Sequence, residues 1–199
     1  MNQFWDKRYS IEEYVYGKEP NEFFKKHLSN LKPGILLLPG EGEGRNAVFA
    51  ASNFWEVHAF DPSKEGRKKA MKLAKERGVD LRYTINTYLD FAFFRDFYDA
   101  VGLFFTHQPA EMRIPFHKKV INSLKPGGQL IMETFHKKQI NRDTGGPGNM
   151  ELLFDETELR NDFAELELLE LNVLTRKLSE GIFHNGEADV IQLVANKVL

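Results

Sequence analysis

Cysteine does not occur among the 199 residues of the chain. Its absence excludes disulfides, thiolate metal ligands and cysteine nucleophiles, and it is compatible with an intracellular location. No apolar run approaches the roughly 20 residues that a membrane helix needs, and residues 1–6 lack the basic start and the apolar stretch of a signal peptide. We therefore expect a cytoplasmic protein that has no membrane partner.

An excess of positive charge is also missing. The 27 basic and 29 acidic side chains leave a net charge of -2, whereas binding of duplex nucleic acid needs clustered Lys and Arg. The basic stretch 64–75 is typical of a solvated helix face, and it lacks the interleaved aromatic residues that RNA binding would need. The histidines show no H-E-x-x-H spacing. We expect no nucleic-acid partner and no metal site.

The length of the chain fits one domain. A hydrophobic fraction of 42% with 13% aromatics is typical of a globular protein. We predict a single domain over residues 1–199, made of an N-terminal helical cap (1–33), a cofactor-binding half (34–135), and a loop, helix and terminal hairpin (136–199).

Hydrophobic periodicity predicts the order of the elements. In the first thirty residues, a capping-box pattern at 10–13 and a helical pattern at 21–31 indicate short helices. The continuous apolar run Ile35–Leu38 predicts a strand that is covered on both faces of a parallel sheet. Strand and helix patterns then alternate as far as Thr134, which indicates βαβ units and an α/β fold with a doubly wound sheet.

The C-terminal third shows a different rhythm. Residues 136–150 are polar and rich in glycine, and the pattern at 155–158 predicts the capped start of a short helix. Two alternating segments, 166–176 and 189–198, lie on either side of the turn-forming pair Asn185-Gly186. This arrangement predicts an antiparallel hairpin at the end of the chain.

The glycine-rich segment 39–46, with the sequence P-G-E-G-E-G-R-N, lies between the first strand and a helix. Glycine allows positive φ and a close approach of a ligand to the backbone, and the helix N-terminus offers unpaired N–H donors. The spacing G-x-G-x-G differs both from the G-x-G-x-x-G of dinucleotide sites and from the phosphate-binding P-loop. The segment therefore predicts a ligand site but disfavours an NAD-linked oxidoreductase.

Asp61 ends the second predicted strand, at the sequence distance where an acid binds ribose hydroxyls in such folds. A carboxylate has two acceptor oxygens, which suit a vicinal diol. The alternative is that Asp61 caps the helix that begins after Ser63. Taken alone, the two interpretations carry equal weight, and the glycine turn before the strand favours the ribose.

Several short motifs along the chain carry a family resemblance. They are W-D-K-R-Y at 5–9, Y-V-Y-G-K-E-P-N at 14–21, G-E-G-R-N-A at 42–47, L-K-P-G-G at 124–128, T-G-G-P at 144–147 and L-L-F at 152–154. Together they resemble class I S-adenosylmethionine-dependent methyltransferases, and within these the tellurite-resistance-type and thiopurine-type enzymes. The resemblance covers nearly the whole chain.

The resemblance implies a Rossmann-like sheet of seven strands, mostly parallel, with an antiparallel last strand, and S-adenosylmethionine as cofactor. It places the methionine end of the cofactor at the glycine turn, the ribose at Asp61, the adenine after the third strand, and Tyr16 against the sulfonium. The expected cofactor-binding residues are Tyr16, Gly40, Glu41, Gly42, Arg45, Asn46, Asp61, Pro62, Asn86, Thr87 and Phe104.

Two positions depart from the family pattern. Leu38 stands where an acid usually contacts the amino group of the cofactor, so Glu41, or failing that Glu43, is expected to take this role. Thr87 stands where an aspartate usually contacts the adenine, and a neutral partner makes a hydrogen bond about half as strong as a charged one.

The predicted reaction is methyl transfer to a small acceptor, such as a thiol, a metalloid or another soft nucleophile, by a monomer or homodimer. The alternative is a non-catalytic regulatory protein that binds S-adenosylmethionine or a nucleoside on the same fold. His107, which follows the fourth strand, is the candidate base for an acceptor that must lose a proton, and the other interpretation is a loop histidine packed beside Pro109. His184 is expected to be a turn residue. The aromatics Trp5, Tyr9, Tyr14 and Tyr16 either cover the acceptor or pack the N-terminal helix.

Overall fold

The computed structural model describes residues 2–198. Within that range the helices are α1 (Asn2–Tyr9), α2 (Glu22–Leu28), α3 (Arg45–Ser52), α4 (Lys64–Arg77), α5 (Ala110–Ser123) and α6 (Glu156–Asp162). The strands are β1 (Ile35–Pro39), β2 (Glu56–Asp61), β3 (Arg82–Ile85), β4 (Tyr98–Phe104), β5 (Leu124–Phe135), β6 (Leu166–Ser179) and β7 (Asn185–Lys197). Two short 3-10 helices, Lys137–Asn141 and Met150–Leu152, interrupt the segment between β5 and α6.

The seven strands form a sheet in the order β3-β2-β1-β4-β5-β7-β6. β1 pairs with β2, β2 with β3, and β4 with β5, each in parallel, while β7 is antiparallel to both β5 and β6. The doubly wound, mostly parallel sheet with an antiparallel C-terminal hairpin is therefore confirmed. The apolar run at the start of the sheet behaves as its pattern predicts, because Leu36, Leu37 and Leu38 are fully buried.

The chain divides into two compact units. The first comprises Met1–Phe91 with Glu180–Phe183, and the second comprises Ala92–Ser179 with His184–Leu199. The first contains α1 to α4 and β1 to β3, and the second contains the remaining helices and strands. The single domain expected over residues 1–199 stays a prediction.

Helices α2, α4 and α6 each start at a residue whose side chain caps the first turn. Asn21 accepts from the amide of Phe24 at the start of α2, and Ser63 accepts from the amide of Gly66 at the start of α4. At α6, Asp155 and Glu158 form the reciprocal capping box that the sequence predicts. Each such cap satisfies amides that have no partner inside the helix, which stabilises the helix by about 1 kcal/mol.

Two local predictions are wrong, and a third is confirmed in a less regular form. No helix begins at Ser10, because α1 lies before it and the Ser10 hydroxyl donates to the Lys7 carbonyl at the end of α1. The reversal between β6 and β7 is made by residues 180–184, which include His184 as expected, whereas Asn185-Gly186 already pairs with Leu178 and Ser179. The turn predicted at residues 125–128 is present although these residues are counted within β5, because the pairing with β4 passes from Tyr98–Leu124 directly to Ala100–Gln129 and Gly127 has a φ of 78°.

Across residues 2–198, no helix has both the length and the apolarity that crossing a bilayer requires. The cytoplasmic location stays a prediction.

Candidate functional site

The glycine turn joins the end of β1 to the start of α3. Gly40, Gly42 and Gly44 have φ angles of 64°, 60° and 87°, which are in the left-handed region where a side chain would be strained. The turn is held against β2, because the amides of Gly40 and the residue after it both donate to the carbonyl of Phe60, at 2.8 and 3.2 Å. It is also held against α4, since a Cβ on Gly44 would lie 2.5 Å from the Cβ of Ala70.

Gly42 lies at the centre of this turn, and both of its backbone polar groups have partners. Its amide donates to Oδ2 of Asp61 at 3.1 Å, and its carbonyl accepts from the hydroxyl of Tyr83 at 2.6 Å. A Cβ at this position would lie only 2.6 Å from the hydroxyl oxygen of Tyr9. The turn can therefore be this tight only with glycine at position 42.

Asp61 ends β2 beside the turn and is buried. Its Oδ1 accepts from the amide of Ser63 at 2.8 Å, and its Oδ2 accepts from the amide of Gly42. Since Ser63 itself caps α4, the alternative that Asp61 caps this helix is wrong. Each oxygen of a carboxylate has two lone pairs, so one lone pair on each oxygen is left for a further donor, such as the hydroxyl of a diol.

Burial governs the charge of this carboxylate. It raises the pKa of Asp61 to about 6, although the amides of Ser63 and Gly42 favour the ionised form. Two added hydroxyl donors would stabilise the ionised form further and compensate the lost hydration. The geometry and the charge of Asp61 therefore fit the ribose role, which stays a prediction.

Glu41 faces the first turn of α3. Its Oε1 accepts from the amide of Ala47 at 2.7 Å, a position where the helix dipole favours a negative charge. Burial nevertheless raises the pKa of Glu41 to about 7. The carboxyl is therefore close to its midpoint near neutral pH and can ionise fully when a cationic group approaches it.

Glu43 is used differently. Its carboxylate is bonded to the ammonium of Lys69 at 2.8 Å and accepts from the amide of Tyr16 at 3.3 Å. The first contact joins the turn to α4, and the second joins the N-terminal segment to the turn. Of the two glutamates considered as replacements for the acid missing at Leu38, Glu43 is ion-paired with Lys69, whereas Glu41 has no salt bridge to a Lys or Arg within residues 2–198.

Arg45 and Asn46 begin α3, and their side chains hold distant segments of the chain. The guanidinium of Arg45 is ion-paired with Glu180 at 2.8 Å and donates to the carbonyl of Tyr16 at 3.3 Å. The side-chain oxygen of Asn46 accepts from the amide of Asn21 at 2.9 Å. These side chains therefore fix the 16–21 segment and residue 180 to the start of α3, and their expected contact with a cofactor stays a prediction.

Aromatic side chains of the N-terminal segment cover the turn. Tyr9 is buried and packs on Gly42, and its ring lies 5.5 Å from that of Trp5 and 6.3 Å from that of Tyr16. Tyr14 instead packs on α4, where its hydroxyl donates to the carbonyl of residue 69. The packing role expected as one alternative therefore applies to Tyr9 and Tyr14, while the ring of Tyr16 contacts that of Tyr9, which packs on the turn.

The segment after β3 contains an acid that is not among the predicted site residues. The amide of Asn86 donates to the backbone carbonyl of Asp61 at 3.3 Å, which places the segment beside β2. The amide and the hydroxyl of Thr87 both donate to Oδ1 of Asp90, at 2.5 and 3.0 Å. Burial would raise the pKa of Asp90, but these hydrogen bonds outweigh it and the pKa lies below its usual value. An ionised carboxylate is thus present three residues after the position where the family has one.

The second unit contains the two remaining predicted residues. Phe104 ends β4, and Phe105 follows with a φ of 53°. The Nδ1 of His107 lies 3.1 Å from the carbonyl of Leu152, and its ring stacks on Phe135 at 5.7 Å. Because a carbonyl only accepts, Nδ1 carries the proton and Nε2 is left as an acceptor. Burial lowers the pKa of His107 to about 4, so the ring is neutral near pH 7.

The structure thus distributes the predicted site residues between the units. The first unit contains the ten expected cofactor residues that precede β4, namely Tyr16, Gly40, Glu41, Gly42, Arg45, Asn46, Asp61, Pro62, Asn86 and Thr87, and the second contains Phe104 and His107. Sequence reasoning missed Tyr83, Asp90 and Glu180. Of these, only Asp90 left a local signal, since the pattern T-x-x-D is typical of a side-chain capped turn.

Comparison with known proteins agrees with this geometry. Residues 37–128 match a methyltransferase-domain family. TehB from Haemophilus influenzae is 15% identical, with a TM-score of 0.74 over 98% of this chain and 66% of that chain. A methyltransferase from Methanosarcina mazei, described as SAM-dependent, is 18% identical, with a TM-score of 0.72 over 91% of this chain and 99% of its own. No curated protein matches the sequence.

A third structure bears on the cofactor. The 1,6-didemethyltoxoflavin-N1-methyltransferase of Burkholderia thailandensis, solved with S-adenosylhomocysteine, is 16% identical, with a TM-score of 0.65 over 88% of this chain and 75% of that one. The matched domain includes the glycine turn, Asp61 and the segment after β3. The tight backbone of the turn and the remaining lone pairs of the Asp61 carboxylate suit an adenosyl group. Residues 37–128 are therefore a methyltransferase domain, and the chain has the fold of the S-adenosylmethionine-dependent methyltransferases compared above.

Proposed function

We propose that this methyltransferase acts on a small-molecule acceptor, and that the acceptor is a soft nucleophile such as a thiol or a metalloid. Binding of the cofactor is supported by the Asp61 carboxylate beside the glycine turn, because each of its oxygens accepts one backbone hydrogen bond and keeps a second lone pair for a ribose hydroxyl. For the acceptor half, support comes from solved structures of the same fold, one of which has the small molecule 1,6-didemethyltoxoflavin bound.

The bound cofactor supplies an electrophilic methyl group on a positively charged sulfur. The residues of the chain contribute binding and orientation. Asp61 accepts hydrogen bonds from the ribose, and Glu41, at the start of α3, accepts from the ammonium group in place of the acid missing at Leu38. Tyr9 and Tyr16 exclude water beside the turn, and an aromatic face near a cation stabilises it before transfer. Catalysis then consists largely of holding the acceptor in line with the methyl group.

For an acceptor that loses a proton, we propose that Nε2 of His107 accepts it. The hydrogen bond from Nδ1 to Leu152 fixes the tautomer that this role needs. We expect His107→Asn, which keeps a donor toward Leu152 but removes the acceptor nitrogen, to lower kcat by about 100-fold or more with amine or alcohol acceptors. A thiolate acceptor, which carries no proton, should be methylated at an unchanged rate.

Binding and turnover test the proposal separately. Isothermal titration with S-adenosylmethionine, S-adenosylhomocysteine and NAD measures which ligand the protein prefers, and Asp61→Ala should weaken binding of the first two by about tenfold or more. Asp80→Ala, which removes an exposed carboxylate between α4 and β3, is the matched control. Preference for NAD would contradict the cofactor assignment.

Formation of S-adenosylhomocysteine is then measured with a panel of thiols, selenite, tellurite and small amines. Product formation with one of the thiols or metalloids supports the proposed acceptor class. Tight cofactor binding without product from any member of the panel would instead favour the regulatory alternative.

A further inference from the structure

The guanidinium of Arg8, on α1, is surrounded by aromatic rings. Its Cζ lies 4.6 Å from the ring centroid of Phe4, 5.4 Å from that of Trp5 and 4.5 Å from that of Phe183. Its Nη1 donates to the hydroxyl of Tyr16 at 2.9 Å. We call these five residues the Arg8 cluster. Cation–π contacts of this kind hold a guanidinium in place without neutralising its charge.

Arg8 has no acidic partner within residues 2–198. The nearest acid in sequence, Asp6, is bonded instead to the hydroxyl of Ser63 at 2.6 Å. A guanidinium has five N–H donors in a fork that matches a carboxylate or another oxyanion, and the bond to Tyr16 uses one of them. The cluster therefore presents a half-buried positive charge whose remaining donors are available to an anion.

The cluster is built on rigid contacts that lead back to the glycine turn. Phe183 belongs to the segment 180–183, in which Glu180 is bonded to Arg45 at the start of α3. Gly181 has a φ of 80°, and a Cβ there would overlap the carbonyl of Val15, so the two segments touch through their backbones. On the other side, the ring of Tyr16 lies 6.3 Å from the ring of Tyr9, which packs on Gly42.

The exposed surface of the cluster is apolar and aromatic. Phe4 and Phe183 are 56% and 40% exposed, although both contact the guanidinium. Exposed rings next to an unpaired cation suit a ligand that combines a flat apolar body with a negative charge. The amino-acid end of the cofactor has a carboxylate but no such body, so the cluster fits an acceptor better than it fits the cofactor.

We propose that the Arg8 cluster is the acceptor subsite and that it selects an anionic aromatic acceptor, whose charged group Arg8 binds. The inference rests on the proposed function, because it specifies the class of acceptor for that reaction. Arg8 recognises and orients the acceptor in this scheme, and it takes no part in the transfer of the methyl group.

The test uses one aromatic thiol with and without a carboxylate: 2-mercaptobenzoate and its methyl ester. Their binding to the full chain is measured by isothermal titration, with and without saturating S-adenosylhomocysteine. The variants are Arg8→Met, which keeps the length of the side chain, and Lys7→Met, a control that removes an exposed charge from the same helix. We expect wild type and Lys7→Met to bind the acid about tenfold or more tightly than the ester, and Arg8→Met to lose that preference while its affinity for the ester is unchanged.

Three results would overturn the assignment. In the first, the acid fails to bind to the wild type. In the second, Arg8→Met still prefers the acid to the ester. In the third, Arg8→Met binds both compounds more weakly by the same factor, as a general loss of structure would cause. A further arm titrates S-adenosylhomocysteine and 5′-methylthioadenosine, which lacks the amino-acid end. If Arg8→Met weakens only the first of these, Arg8 binds the carboxylate of the cofactor and the acceptor role is wrong. Failure of S-adenosylhomocysteine to bind to the wild type would contradict the proposed function instead, and the mercaptobenzoate titration without cofactor would still decide the role of Arg8.

Discussion

Replacing Asp61 with Asn should change how the stability of the cofactor-free protein depends on pH. Burial raises the pKa of this carboxyl from 3.8 to about 6. The folded state therefore binds the proton more tightly than the unfolded state. The stability contributed by that proton is fully present below pH 3.8, and it is lost as the pH rises through about 6.

These values set the size of the effect. Linkage with a folded pKa of about 6 and an unfolded pKa of 3.8 gives a gain of about 1.4 kcal/mol in the free energy of unfolding when the pH falls from about 7.5 to about 5. Asp61→Asn cannot take up this proton. The variant also loses a hydrogen bond from the amide of Gly42 or Ser63, but this cost is independent of pH and cancels in the comparison of the two pH values.

Urea unfolding of wild type and variant at both pH values measures the effect. The free energy of unfolding of the wild type should rise relative to that of Asp61→Asn by about 1 to 2 kcal/mol at the lower pH. Asp80→Asn, which changes an exposed carboxylate, controls for the change in net charge. A difference between wild type and Asp61→Asn that is the same at both pH values would refute the reasoning, since it would mean that Asp61 is not desolvated.

Two further substitutions test contacts of the turn, each by urea unfolding. Gly42→Ala should destabilise the fold by about 1 to 3 kcal/mol more than Gly78→Ala. Both positions have positive φ, but only a Cβ at position 42 would meet another side chain, the hydroxyl of Tyr9. An equal loss of stability at the two glycines, or no recovery when Tyr9→Phe is added to Gly42→Ala, would contradict this contact. Glu180→Gln should cost about 3 kcal/mol, since it leaves the guanidinium of Arg45 buried without its ion pair; a loss below about 1 kcal/mol would show that this pair does not hold segment 180–183 in place.

Much of the fold follows from local sequence signals. The apolar run in β1 and the capping pattern at Asp155 and Glu158 each predicted the element that forms there, because both depend on neighbours within a few residues. The Asn185-Gly186 pair misled for a physical reason. Its turn propensity is overridden by cross-strand pairing with Leu178 and Ser179, which extends β7 to residue 185.

The candidate site was predictable where it depends on the backbone and not where it depends on distant side chains. The glycine spacing predicted a tight turn after β1, and the strand pattern placed Asp61 at the end of β2, where the structure has both. The contact between Tyr83 and Gly42 joins residues 41 positions apart, and the contact between Arg45 and Glu180 joins residues 135 apart. Nothing in the local pattern of either residue specifies such a partner, because it arises only when the strands and the C-terminal segment have packed.

A crystal structure of the protein with S-adenosylhomocysteine tests most directly whether the glycine turn and Asp61 hold the adenosyl group. We expect the two ribose hydroxyls to lie within hydrogen-bonding distance of the Asp61 carboxylate, while the amides of Gly42 and Ser63 keep their bonds to it. An adenosyl group bound elsewhere, or a ribose that leaves Asp61 with only its two backbone partners, would contradict the account.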